Sequence, residues 1–308
     1  MRTMDVSGHA WIAQLPTELA GQRALLEGLL AQCEAAPDIR WLVIGCSVAR
    51  GAGDALSDLD LAMGVEVGDG DDGDSADGDG DSAEGATSAA AFDAIAQRVQ
   101  DGVDRLGDLV ESYHHQISGV GDRHRRIFAQ YADRCQVDLV VLDAGVDGGR
   151  VPGSAVLYDP EGRLSVHGVE RKRATPALVR EWAFHAWCEL ADCGKYLRRG
   201  SLWEAFGQLH QARTHLWCLY AAAHDVPDPQ YGVTSVLDFA PDTVSAAMEA
   251  TVSDLDAARL LAAVRATARM LREVGDQLPD GQRAQLPDAM ARFITDDLAA
   301  IETSVASS

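Results

Sequence analysis

Long hydrophobic runs are missing from this chain of 308 residues. No stretch approaches the roughly 18 uninterrupted apolar residues that suggest a membrane-spanning helix. The first residues, Met-Arg-Thr-Met-Asp-Val-Ser-Gly-His, also lack the apolar core of a secretory signal peptide. We therefore expect a cytoplasmic protein that has no membrane partner.

Cysteines are few and do not have the spacing of a metal site. The nearest pair among the six, Cys188 and Cys193, is not matched by a second pair of the kind that zinc sites contain. Disulfides belong mainly to oxidising compartments, which a cytoplasmic protein does not meet. Buried, reduced thiols are therefore the expected state of these residues.

Basic residues are also scarce, with 26 Lys and Arg against 48 Asp and Glu, so the formal net charge is −22. Such a surface lacks the basic track that a long nucleic acid needs, which excludes nucleic acid as a partner, but it tolerates a cationic small molecule. Many of the acids lie between Glu66 and Glu84, in a Gly-Asp-Ser-Ala sequence without Lys or Arg. This composition is too polar to form a core and predicts a disordered insertion over about residues 66–88.

What the chain does contain is a small-residue turn followed by two carboxylates. Residues 41–44 are apolar and predict a buried strand, and residues 45–47 (Gly-Cys-Ser) then form a turn that lets a phosphate approach the backbone. Asp58 and Asp60 lie one residue apart in a second predicted strand, so both point to one face. Two carboxylates that close repel each other unless a cation lies between them, and oxygen ligands suit Mg²⁺. The pattern predicts a site for a nucleoside triphosphate and a metal.

A third acid is predicted in a β-hairpin further along the chain. Residues 127–132 alternate in polarity, and residues 135–142 are nearly all apolar around a single acid, Asp138. An ionised Asp in a buried strand is costly unless its charge is compensated. Asp138 is therefore the expected third metal ligand, beside Asp58 and Asp60. The alternative is an edge-strand Asp that faces solvent.

These residues resemble the nucleotidyltransferase superfamily, whose fold is shared by DNA polymerase β and the antibiotic nucleotidyltransferases. Specific motifs carry the resemblance over residues 40–164: Gly-Cys-Ser, then Ala-Arg-Gly, then Asp-x-Asp. The resemblance implies that Gly45, Ser47 and Arg50 bind the nucleotide. One departure is Cys46, which stands where the family usually has a second small Gly.

By the same resemblance, the three acids form the catalytic and metal-binding set, which holds Mg²⁺, with two ions allowed. In some small-molecule members the acid that matches Asp138 also accepts the proton of the substrate hydroxyl. Lys195 lies near the end of a later predicted helix and is a candidate nucleotide ligand. The alternative for Lys195 is that it offsets the C-terminal dipole of its own helix.

The predicted fold class is α+β. An N-terminal nucleotidyltransferase domain over residues 1–168 has a small mixed β-sheet flanked by helices, and an all-α helical bundle follows over residues 169–308. Apolar residues at helical spacing predict a helix over residues 92–110. From Thr175 onward the pattern is helical, and Ser201 with a Glu three residues later predicts a capping box.

The predicted function is metal-dependent transfer of a nucleoside monophosphate, with ATP as the expected donor of AMP, to a hydroxyl of a small molecule. The resemblance implies an acceptor such as an aminoglycoside-like or lincosamide-like antibiotic, and catalysis by positioning and charge neutralisation. Two alternatives stay open. One is a protein-modifying adenylyltransferase of the antitoxin type. The other is a catalytically inactive nucleotide-binding scaffold; the three carboxylates argue against it, and the departure at Cys46 keeps it open.

Overall fold

The computed structural model describes residues 7–67, 81–116, 123–145, 153–164 and 171–305. The chain divides into two compact units, Met1–Glu170 and Arg171–Ser308. The first contains a mixed sheet with helices, and the described part of the second is helical, which confirms the predicted α+β class. None of the described helices combines the length and the apolar character that crossing a bilayer requires.

The first unit is built on a six-stranded sheet. Its strands are β1 (Ile39–Ile44), β2 (Leu59–Val65), β3 (Leu109–Gln116), β4 (His124–Tyr131), β5 (Gln136–Asp143) and β6 (Ala155–Tyr158). They lie side by side in the order β3-β4-β5-β2-β1-β6. Strands β2 and β5 pair in parallel, and the other pairings are antiparallel. A parallel pair needs a long crossover connection, so β2 and β5 bring together segments that are distant in the chain.

The helices of the first unit pack their apolar residues on one face of the sheet. They are α1 (Gly8–Ala13), α2 (Ala20–Ala35), α3 (Cys46–Ala49) and α4 (Asp81–Val103). Leu25, Leu26 and Leu29 recur at helical spacing in α2 and are buried in the core of this unit. Phe92 and Val99 of α4 are buried in the same core.

The central strands separate this core from a face that carries acids. The core side of β2 and β5 consists of fully buried apolar residues: Leu59, Leu61, Met63, Val137, Leu139 and Val141. Successive side chains of a strand point to opposite faces, so Asp60 and Asp138 lie on the other side of the sheet. The strand pattern therefore keeps the acids away from the main core.

A tight contact holds β1 against β2 on the acid-bearing face. A Cβ atom added at Gly64 would lie 2.0 Å from Cε2 of Trp41, so the position requires a glycine. The indole of Trp41 is 1% exposed and packs with Val43 and Leu142 in a small second cluster. Glycine at this strand position serves the close approach of a large side chain.

The helix predicted over residues 92–110 is wrong at its end. Helix α4 stops at Val103, and the chain continues into strand β3, which contains Val110. Strand β3 lies at the edge of the sheet, and its residues are exposed or half-buried. The strand was missed because an edge strand of this kind contains no apolar run.

The boundaries of the predicted acidic insertion, residues 66–88, are also wrong. Glu66 forms ion pairs with Arg40 and, at 3.2 Å, with Arg163, so it belongs to the folded unit. Helix α4 begins at Asp81, within the segment predicted to be disordered. Residues 68–80 of the predicted insertion lie outside the described residues.

The second unit is a set of helices around its own core. They are α5 (Pro176–Arg198), α6 (Leu202–Ala223), α7 (Val233–Phe239), α8 (Ala257–Gln277), α9 (Asp280–Arg283) and α10 (Asp288–Val305). Helices α5, α6, α8 and α10 supply most of the buried side chains. The hydroxyl of Thr175 accepts a hydrogen bond from the N–H of Leu178 and caps the start of α5, where the helical pattern was predicted to begin.

The capping box predicted at Ser201 is wrong. Ser201 precedes α6, but its side chain forms no capping hydrogen bond. Its backbone N–H donates to the carbonyl of Tyr196 at 3.0 Å, in the turn that ends α5. That N–H therefore has a partner already, and the reciprocal bond from Glu204 is not needed.

Candidate active site

Two of the predicted acids are neighbours across the parallel strand pair. Asp60 of β2 is the register partner of Asp138 of β5. Asp58 lies two residues before Asp60, where the chain enters β2. The structure thus brings together, at one place on the sheet, acids from two segments that are remote in sequence.

The turn after β1 lies against this acid pair. The N–H of Gly45 donates to the carbonyl oxygen of Asp60 at 2.8 Å, which joins the start of the turn to β2. Cys46 and Ser47 then begin α3, and Arg50 ends it. The predicted phosphate-binding residues Gly45, Ser47 and Arg50 are therefore all in the turn and helix that abut the carboxylates.

The backbone at Cys46 has a conformation that glycine adopts more readily than other residues. Its φ angle is 53°, in the left-handed region that residues other than Gly adopt only with strain. Cys46 accepts this conformation and uses its side chain for a contact that a Gly cannot make, a hydrogen bond with Asp60. The turn therefore accommodates Cys46 at this position.

The thiol of Cys46 is held in its protonated form. Cys46 is exposed as a residue, but its sulfur lies against Asp60. Burial of the thiol is the main cause that raises its pKa to about 12. The hydrogen bond and negative charge of Asp60 raise the pKa further. At neutral pH the thiol therefore donates a proton to the hydrogen bond and is a poor nucleophile.

A buried glutamine fixes the loop that leads into the acids. Gln22 of α2 is 2% exposed, and its Nε2 donates to the carbonyl of Ser57 at 2.9 Å. The hydroxyl of Ser57 in turn accepts from the N–H of Asp54 at 2.9 Å. These bonds fix the backbone immediately before Asp58. Sequence reasoning missed Gln22, although a polar residue within the apolar pattern of a helix was a detectable signal.

Asp138 is buried and paired, which excludes the alternative of a solvent-facing edge residue. It is 8% exposed, on a strand with neighbours on both sides. Arg126 of β4 holds both of its oxygens: Nε donates to Oδ1 at 2.7 Å, and Nη2 donates to Oδ2. The compensating charge that a buried Asp requires is thus supplied by an arginine.

Arg126 was missed by sequence reasoning because its role depends on strand register. Phe128 is the register partner of Asp138, so Arg126, two residues earlier in β4, reaches Asp138 diagonally on the same face. The guanidinium lies 5.7 Å from the ring centroid of Phe128. An Arg in the first strand of a hairpin and an Asp in the second were visible in the sequence, but their alignment was not.

The electrostatics of Asp60 reflect the crowding of charges. Burial raises the pKa of the Asp60 carboxyl above its ordinary value, and the charges of Asp58 and Asp138 raise it further. The hydrogen bond from Cys46 and the charge of Arg126 lower the same pKa in part. The site therefore disfavours an ionised Asp60 and would gain from an added cation.

The donor set of the site fits a divalent cation only in part. Asp58 and Asp60 offer the oxygen ligands that Mg²⁺ prefers, and the raised pKa of Asp60 indicates uncompensated charge. Among the described residues, however, no three His, Cys, Asp or Glu side chains form a group that could hold a metal ion. Arg126 occupies both oxygens of Asp138 in this structure, so the three-carboxylate metal site stays a prediction.

Lys195 lies in the second unit, near the end of α5. Its Nζ forms an ion pair with Asp192 at 2.5 Å and lies 4.7 Å from the ring centroid of Tyr196. These contacts are local to the helix. A contact between Lys195 and a nucleotide stays a prediction.

No protein-family model and no curated protein matches this sequence. Among solved structures, an aminoglycoside 6-adenyltransferase from Bacillus subtilis is similar with a TM-score of 0.38 and 13% identity, over 90% of this chain and 97% of that one. A nucleotidyltransferase-like protein from Exiguobacterium sibiricum has a TM-score of 0.35 and 11% identity, over 82% of this chain and 74% of that one. Since both TM-scores are below 0.5, the function has to be inferred from the site geometry and the motifs.

Proposed function

We propose that the first unit binds a nucleoside triphosphate with a divalent cation and transfers the nucleoside monophosphate to a hydroxyl of a small molecule. One observation carries the proposal: Asp60 and Asp138 are register partners on adjacent parallel strands, with the Gly45 turn hydrogen-bonded to the backbone of Asp60. The backbone N–H groups of a glycine turn suit a phosphate, and carboxylate oxygens suit Mg²⁺, so the arrangement supports a site for both.

Each residue of the site has a defined part in this reaction. Asp58 and Asp60 would hold Mg²⁺, and Ser47 and the backbone of the turn would orient the phosphates. When bound, the metal neutralises the charge of the triphosphate. Asp138, on the neighbouring strand, would complete the metal site once it is free of Arg126 and would also accept the proton of the acceptor hydroxyl. In-line positioning and charge neutralisation would together supply the rate enhancement.

The acceptor is proposed to be a small molecule, with ATP as the preferred nucleotide. The net charge of −22 opposes the approach of a polyanionic nucleic acid and favours a cationic compound. The motifs resemble those of antibiotic nucleotidyltransferases, so aminoglycoside-like and lincosamide-like compounds are the first acceptors to examine.

The test is a transfer assay read by mass spectrometry. The protein is incubated with Mg²⁺ and ATP, GTP, CTP or UTP in turn, together with a panel of hydroxylated antibiotics and related amino sugars. We expect a product whose mass exceeds that of the acceptor by one nucleoside monophosphate, and no product from Asp60→Asn. A product that forms equally with Asp60→Asn, or with wild type in excess chelator, would contradict the proposed mechanism.

A second candidate function is favoured by the pairing of Arg126 with Asp138. A protein whose third acid is permanently neutralised would bind a nucleotide without turning it over, as an inactive scaffold. The same assay distinguishes the two functions when calorimetry with ATP is added. Tight binding of ATP without any product across the acceptor panel supports the scaffold. If the panel also includes candidate protein partners, a modified protein supports an antitoxin-type enzyme instead.

A further inference from the structure

Arg126 differs from the arginines next to it in the chain. Arg125 forms an ion pair with Asp93 of α4, and Arg123 pairs with Asp143 at 2.5 Å, both on the side of the sheet that α4 covers. Arg126 points to the acid-bearing face, where its Nε and Nη2 each donate a hydrogen bond to the carboxylate of Asp138. Two arginines thus have a structural role, whereas the third lies within the candidate site.

The two partners in the Arg126–Asp138 pair differ in how firmly they are held. The side chain of Asp138 is 10% exposed, while that of Arg126 is 42% exposed. The acid is fixed in the sheet, whereas the arginine can leave it by rotating its side chain into solvent. Its guanidinium binds a phosphate with the same planar geometry that it uses for a carboxylate.

We propose that Arg126 is a substrate-binding residue that changes partner: it neutralises Asp138 in the free protein and binds a phosphate of the nucleotide when a divalent cation takes its place at Asp138. This inference rests on the proposed function and adds a residue and an order of events to it. Because Asp138 cannot give the same oxygens to both partners, the cation and Arg126 compete. The triphosphate resolves that competition, since it offers Arg126 a new anion.

The exchange predicts opposite effects of one substitution on two ligands. In Arg126→Gln, no arginine competes with the metal ion for Asp138, so Mn²⁺ in the absence of nucleotide should bind more tightly. The same variant has lost a phosphate contact, so ATP in the presence of saturating Mn²⁺ should bind more weakly. A purely structural arginine would weaken both or change neither.

The experiment measures Mn²⁺ binding by electron paramagnetic resonance and ATP binding at saturating Mn²⁺ by calorimetry. For Arg126→Gln we expect a Kd for Mn²⁺ about tenfold lower and a Kd for ATP about tenfold higher than in wild type, as for loss of one charge-assisted contact. Arg125→Gln is the matched control, because it removes an adjacent arginine on the opposite face. It should leave both constants unchanged.

Two further variants protect the test against a folding defect. Arg126→Gln leaves a buried carboxylate without its cation, so Arg126→Lys is measured as well; it keeps the charge but not the planar fork, and its Mn²⁺ affinity should lie between wild type and Arg126→Gln. In the Asp138→Asn background, Arg126→Gln should no longer tighten Mn²⁺ binding, because the shared ligand is gone.

The outcomes separate this inference from the proposed function. If wild type transfers nucleotide but Arg126→Gln has unchanged or weaker affinity for Mn²⁺, the exchange is overturned and the proposed function stands. If Arg126→Gln binds Mn²⁺ more tightly but its affinity for ATP is unchanged, Arg126 only competes with the cation for Asp138. Its role as a phosphate ligand is then overturned. If no variant binds Mn²⁺ and wild type shows no transfer, both proposals fail.

Discussion

At the scale of single residues, Asp60 is an acid in surroundings that oppose its charge. Burial comes first among the causes that raise its pKa, followed among the raising causes by the neighbouring carboxylates. In its ionised form a residue of this kind reduces the stability of the free protein, and in the proposed function it is a ligand of the cation. This conflict between stability and ligand binding can be measured.

We expect Asp60→Asn to lose transfer by about 10²-fold or more, as when a major electrostatic contact is removed, and to be more stable than wild type without metal. Because the pKa of Asp60 is raised in the folded state, the folded protein is more stable when Asp60 is protonated, at low pH. That stability is lost as the pH rises through the folded-state pKa. The gain in Asp60→Asn should therefore be present at neutral pH and disappear in acid. Urea unfolding in chelator at several pH values checks this, and a variant less stable than wild type at pH 7 would contradict it.

Cys46 offers a second test at residue scale. Because its φ is 53°, glycine should fit the turn better than any residue with a Cβ atom. We expect the free energy of unfolding of Cys46→Gly to exceed that of Cys46→Ala by about 0.5–1 kcal/mol. Glycine relieves the strain of the left-handed backbone, and the conformational entropy that glycine loses on folding offsets part of this gain. Both variants remove the thiol, so their difference isolates the backbone effect. Equal stability of the two would show that the turn relaxes without strain.

At the scale of elements, the ends of three strands are tied together by ions. Glu66, just after β2, pairs with Arg40 of β1 and with Arg163, which follows β6. Glu161 binds the same two arginines at 2.9 and 2.6 Å. Two acids and two bases thus form a closed network in which each charge has two partners. Networks of this kind contribute more than isolated surface pairs.

Glu66→Gln should lower the free energy of unfolding by about 0.5–1 kcal/mol at low ionic strength, and by less in 1 M salt, since exposed pairs are screened. Hydrogen bonding to Arg163 is the main cause that lowers the pKa of Glu66, and Arg40 adds to it. Its stabilisation is therefore present at neutral pH and lost as pH falls through the lowered pKa. Thermal unfolding at two salt concentrations and at pH 7 and 3 measures this. A difference that is the same under all conditions would rule out an ionic origin.

The elements also show which parts of the fold the sequence could reveal. Strands β1, β2 and β5 were predictable because buried strands require apolar residues, and Asp138 stood out as the acid among them. The hydrogen bond from Gln22 to Ser57 and the ion pair of Arg126 with Asp138 were not predictable. Each depends on which residues of different segments come to lie opposite each other. Strand β3 was missed because pairing with β4, rather than any apolar run of its own, makes it a strand.

At the scale of the whole molecule, the net charge of −22 is partly concentrated in one segment. Residues 69–80 contain Asp69, Asp71, Asp72, Asp74, Asp77 and Asp79 and no basic residue. Their sequence has no apolar position that a core could bury.

Replacing these six Asp by Ser should therefore change the unfolding temperature by less than about 5 °C, or roughly 1–2 kcal/mol for a unit of this size. The length of the segment is kept, so β2 and α4 stay connected as they are. Calorimetry of both proteins is the measurement, with Phe92→Ala in the core as a control that should cost about 3–5 kcal/mol. A fall in unfolding temperature comparable to that of the control would show that the acids are structural.

The order β3-β4-β5-β2-β1-β6 also has a consequence for synthesis on the ribosome. The β1–β2 pair emerges first, yet it ends up between β5 and β6, which are made later. Until then, both outer edges of this nascent pair expose unpaired backbone groups, which can recruit strands of other chains. The site acquires its second acid only when β5 closes one of these edges, so an interrupted chain that ends before residue 136 keeps Asp60 without its neighbour.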